Sequence, residues 1–79
     1  MTIMEVYYEG LAQLLPEDER LEIDYDRVTE LIVITTNDVM IHGTTAARIF
    51  DYCSKHGLRC WIGYSLAFQQ IRLGIAKDI

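Results

Sequence analysis

Leu21-Glu22-Ile23-Asp24-Tyr25-Asp26 alternates apolar and acidic residues without a break. Successive side chains of a β-strand point to opposite faces. Leu21, Ile23 and Tyr25 therefore share one face, and Glu22, Asp24 and Asp26 the other. The alternation predicts a strand that is half-buried, apolar inward and acidic outward. The run from Glu30 to Thr36 is β-branched and apolar. It predicts a more central strand over 30–36.

Outward from this pair, Asn37-Asp38 has the residue types that accept the positive backbone angles of a tight hairpin. Residues 39–42 then read as a returning strand that ends at Gly43. Thr44 or Thr45 is expected to cap a helix, with Ala46, Ala47, Ile49, Phe50 and Cys53 as its apolar stripe and Arg48, Asp51 and Lys55 outside. Gly57 suits the position just past its end. Residues 58–64 read as a further strand. The tail has two readings. Ser65 caps a helix over 66–73, or Ala67, Gln69, Ile71, Leu73 and Ile75 alternate in a final strand hairpinned onto 58–64, and the strand is favoured.

Upstream, Pro16 to Arg20 is a charged turn. Residues 2–15 read as a helix, with Thr2 and Glu5 as a capping-box pair and Ile3, Tyr7, Leu11, Leu14 and Leu15 at helical spacing. Pro16 ends it. Gly10 weakens that reading, and a strand over 3–8 followed by a turn at Glu9-Gly10 competes with it. The expected order is α-β-β-β-α-β-β. This is a single α+β domain over 1–79, an antiparallel sheet of four to five strands with one or two helices packed on one face.

A chain of 79 residues has room for one domain. With 51% apolar residues and a net charge of −5, it is not of the disordered class. No apolar run approaches the roughly 18 residues of a membrane helix, and no basic segment precedes an apolar one at the N-terminus, so no secretory signal is expected. Secreted domains this small usually carry four or more cysteines. Cys53 and Cys60 are the only two, which points to a reducing, cytoplasmic setting. Domains of this size are marginally stable without a partner or a staple.

Several chemical readings compete. His42, Cys53, His56 and Cys60 have the ligand types of a zinc site, but their spacing matches no finger pattern and Cys53 fits the helix stripe. No metal or cofactor is therefore expected. Cys53 and Cys60 are placed to approach each other across a helix end, either as a transient disulfide or as free thiols. Asp24 and Asp26 offer two carboxylates for Mg²⁺. No triad and no glycine-rich phosphate loop accompanies them, so an enzyme is not expected. Arg59, Trp61, Tyr64, Arg72 and Lys77 have the residue types of a single-strand binder. The acidic balance of the chain argues against direct nucleic-acid or membrane binding.

The charge is unevenly distributed. Residues 1–30 hold nine acids and two bases, a balance of −7, whereas residues 31–79 hold three acids and five bases, a balance of +2. Glu22, Asp24 and Asp26 recur at about 6.6 Å along a strand, of the same order as phosphates along a nucleic-acid strand. Glu17, Asp18 and Glu19 extend the row around the preceding turn, and Glu30 adds to it from the next strand. Such a row is suited to a partner's groove lined with Lys and Arg. Charge along a sheet edge also serves simply to resist aggregation.

In size, acidity and compact α+β pattern the chain resembles the small inhibitors that phages encode against bacterial defence, the anti-CRISPR proteins. The resemblance covers the whole chain in character and rests on no shared motif. It implies a non-enzymatic inhibitor, acting in the host cytoplasm, that binds a nucleic-acid-handling effector complex in the manner of a DNA mimic. The alternative is a small homo-oligomeric adaptor, or structural subunit, that binds a protein partner through an apolar aromatic surface of Tyr7, Tyr8, Trp61, Tyr64 and Phe68. Monomer and homodimer are both open.

Overall fold

The computed structural model of the protein describes residues 2–16, 20–37 and 40–78. Two helices and four strands follow in the order α1 (Ile3–Leu14), β1 (Leu21–Asp26), β2 (Leu31–Thr36), α2 (Gly43–Lys55), β3 (Leu58–Ser65) and β4 (Gln70–Lys77). The strands form one antiparallel sheet in the spatial order β1-β2-β4-β3. Both helices cover one face, as expected for an α+β domain. The radius of gyration is 11.9 Å, close to the roughly 11.6 Å of a single folded unit of this length. No helix among the described residues is long and apolar enough to cross a membrane.

The core lies between helices and sheet. Ile32 and Ile34 of β2 and Leu73 and Ile75 of β4 are fully buried against Met4 and Leu11 of α1 and Ile49 of α2. Met4 takes the core position that the helical spacing assigned to Ile3, which is instead 51% exposed. The stripe of α1 runs through Met4, Tyr7, Tyr8, Leu11, Leu14 and Leu15, so Tyr7, Leu11, Leu14 and Leu15 hold the expected positions and only Ile3 does not. The Thr2 hydroxyl accepts the Glu5 backbone N–H at 3.3 Å and starts the helix.

Two expectations are corrected. Met40, Ile41 and His42 carry no strand, and the described residues form four strands. The reason is topological. β2 has β1 on one side and β4 on the other, so no edge is left for a return segment to pair with. Ile41 packs against the core, while His42, extended at φ −66° and ψ 138°, is the N-cap of α2. Thr44 and Thr45 therefore lie inside the first helical turn. Thr45 falls on the buried side with Ile49 and Cys53 at successive steps of four. Asp38 and Val39 of the expected hairpin and strand lie outside the described residues.

The helix end and the tail follow the favoured readings. Gly57, at φ +65°, follows the C-cap His56 and donates its N–H to Ser54 O at 3.4 Å. β3 and β4 pair from Leu58↔Lys77 to Ser65↔Gln70 without a break. Ala67 and Gln69 fall in the connecting turn, and Gln69 adopts φ +51° there.

Candidate functional site

β1 is an edge strand of the sheet. Its inward residues Leu21, Ile23 and Tyr25 pack against the core, leaving Glu22, Asp24 and Asp26 exposed on the face that no helix covers. The register places them opposite Thr35, Val33 and Leu31 of β2. The predicted row of carboxylates is thus present on one strand face, at the strand repeat of about 6.6 Å.

Its three members have different local duties. Asn37 Nδ2 donates to Glu22 Oε1 at 3.3 Å, and Gln70 Nε2 donates to Asn37 Oδ1 at 3.3 Å. This chain ties the start of β1 to the start of β4. Asp26 Oδ1 accepts the backbone N–H groups of Val28 (2.9 Å) and Thr29 (3.4 Å), closing the β1–β2 turn. Those bonds serve the ionised form and hold the Asp26 carboxyl below its ordinary value. Asp24, between them, borders an open groove of about 340 Å³ with Glu5 and Glu9 of α1, Tyr8, Tyr25 and Arg27. Arg27 Nε stands 3.9 Å from Glu5 Oε1, with the arginine side chain 82% exposed. A pair so solvated contributes little to stability.

The acidic surface therefore spans two elements. Glu5 and Glu9 join Asp24 because α1 crosses beside β1. Their i,i+4 spacing puts them on one helix face and is legible in the sequence. Which strand that face borders is not. Glu30 lies elsewhere. It is in the turn rather than on β2, at φ +56°, and borders a separate groove with Thr29, Arg59, Ala76 and Lys77. Glu17, Asp18 and Glu19 lie outside the described residues.

Across the same helix-free face the character changes strand by strand. Asp24, Val33, Gly74 and Trp61 form one row from edge to edge. The row ends in a shallow groove of about 490 Å³ lined by Leu31, Val33, Trp61, Gly63, Arg72 and Gly74, among others. Arg72 lies over the Phe68 ring, 5.6 Å from its centroid. Of the five residues of the candidate nucleic-acid surface, Arg59, Trp61 and Arg72 share this face. Tyr64 and Lys77 fall on the other strand parity.

The four candidate metal ligands do not meet. His42 and His56 cap opposite ends of the 13-residue α2, about 20 Å apart at 1.5 Å per residue. The His56 ring packs on Tyr52 and Tyr7, with centroids 4.3 and 5.3 Å away. Only Cys53 and Cys60 come together, as free thiols. The Cys53 S–H donates to the Cys60 sulfur. That bond, with burial, raises the Cys53 thiol, and it lowers Cys60. Among the described residues, no three His, Cys, Asp or Glu side chains converge as a metal site would require. Comparison with protein-family models, with curated proteins and with solved structures finds no match to the chain.

Proposed function

We propose that the chain is a non-enzymatic binding protein that inhibits a nucleic-acid-handling complex in the cytoplasm, of the kind phages direct against CRISPR effectors. Its β1 edge lies in a partner groove lined with Lys and Arg and displaces the nucleic acid held there. The supporting observation is the exposure of Glu22, Asp24 and Asp26 together on one face of an edge strand. Glu5 and Glu9 widen the negative surface around Asp24. Fixed carboxylates on a rigid strand compete with phosphates for the same cations, and that competition weakens as salt rises.

The test is capture of a partner from bacterial lysate at low and moderate salt, followed by nucleic-acid displacement from the purified partner. The variant is Asp24→Lys with Glu9→Lys. Asp26 is spared because its carboxylate closes a turn. The expected partner is a nucleoprotein that the wild type strips of nucleic acid and that the variant does not bind. Equal binding by the variant, or a partner that keeps its nucleic acid, would overturn the proposal.

A further inference from the structure

The two edges of the sheet are built differently. β1 presents an acid at every second position. β3, the opposite edge, has no charge and no proline from Cys60 to Ser65. Among the described residues, β3 pairs with β4 alone along its eight residues. An edge strand left uncharged and apolar is a template for another strand. Among the described residues, five of the nine exposed large apolar side chains fall between 61 and 68: Trp61, Ile62, Tyr64, Leu66 and Phe68, at 45–83% exposure. Trp61 stands on the helix-free face, Ile62 and Tyr64 on the other, and Leu66 and Phe68 in the turn; at roughly 150–250 Å² per large side chain, their exposed area sums to at most about 450–750 Å² per copy. A standard interface buries about 800 Å² per partner.

We infer that the occupant of this edge is a second copy of the chain, its β3 antiparallel to the first, so that two four-stranded sheets become one of eight strands. Charge selects this pairing. Joining β1 to β1 would set two rows of Glu22, Asp24 and Asp26 against each other. Joining β3 to β3 leaves those rows at the far ends of the double sheet. An antiparallel pair centred on residues 60–65 also keeps the two Arg59 side chains at opposite ends of the contact. The arrangement is self-complementary and closes at two copies. Pairing β3 to β1 would instead leave β3 free at one end and β1 at the other, the same two edges that had just joined, and so grow without limit. The inference stands independently of the acidic-edge proposal, since β3 variants leave β1 intact.

The experiment is sedimentation of the full chain from micromolar to millimolar concentration, alongside Ile62→Lys and Tyr64→Lys. Both side chains are more than half exposed, at 56% and 52%, and circular dichroism establishes that the variants are folded. The wild type is expected to form a saturable dimer. Each variant is expected to raise the dissociation midpoint by at least about tenfold. A wild type that stays monomeric throughout overturns the inference. So does a dimer indifferent to both folded variants, and so does open-ended assembly. Should one variant fail to fold, the other decides.

Discussion

The indole of Trp61 lies over Gly74, its cross-strand neighbour, so closely that a β-carbon at position 74 would meet Cζ2, Cε2 and Nε1 of the ring. Glycine weakens a strand interior by its conformational freedom, and here an aromatic ring covers the gap. The Gly74→Ala variant is expected to lose about 1–3 kcal/mol, with the indole lifted into water and its fluorescence shifted to the red. In a Trp61→Ala background the same change should be neutral or stabilising, because the obstacle has gone. Denaturant titrations of the four proteins of this cycle measure the coupling. Equal costs in both backgrounds would remove the explanation for glycine at 74.

Gly10 has a similar partner. The Tyr52 phenol of α2 occupies the space above it, with Cζ at 2.9 Å from where a β-carbon would stand. Burial, and then the nearby Tyr7 phenol, raise the Tyr52 hydroxyl above its ordinary value. On helix propensity alone Gly10→Ala would gain about 1 kcal/mol. The contact reverses the sign, and a net loss of about 1–2 kcal/mol is expected, at the scale of overpacking. A thermal melt of the single variant checks it. A gain would mean that Tyr52 moves aside freely.

These two glycines also explain where the sequence was hard to read. Gly10 argues locally against α1, and its reason is a tyrosine more than forty residues away. The alternation of Leu21 to Asp26 was legible because burial on one face writes a period of two into a single strand. Residues 40–42 depart from their local pattern for the opposite reason. Their apolar run is strand-like, but β4, from the far end of the chain, already holds the free edge of β2. The exposure of Glu22 and Asp24 could be read from the pattern. The turn-closing duty of Asp26 and the nearness of Glu9 to Asp24 depend on a turn and a helix crossing that no local pattern encodes.

Asp26 makes the β1–β2 turn sensitive to acid. Backbone N–H groups of Val28 and then Thr29 favour its ionised form, so its pKa in the folded chain lies below that of an ordinary aspartate. A carboxylate depressed on folding contributes stability that is present above its unfolded pKa and is lost as pH falls through the folded one. Stability should therefore decline below about pH 4, with a smaller decline in Asp26→Asn, whose amide oxygen accepts the same bonds without titrating. Denaturant midpoints across acid pH measure the difference. Identical pH profiles would show that the turn gains nothing from the charge.

Cys53 and Cys60 should react at different rates although they lie side by side. Cys53 is 2% exposed and donates its S–H, which keeps it protonated, while Cys60 is half-buried and receives that bond, which favours its thiolate. The thiolate is the nucleophile in alkylation. Iodoacetamide on the native protein should therefore label Cys60 first, and Cys53 only on unfolding. Cys53→Ala removes the donor and should move the labelling of Cys60 to higher pH, whereas Cys53→Ser, which keeps a donor, should leave it close to wild type. Mass spectrometry of timed labelling across a pH series separates the two variants. Labelling of Cys53 ahead of Cys60, or a Cys60 profile unmoved in Cys53→Ala, would show that the hydrogen bond does not control the pair.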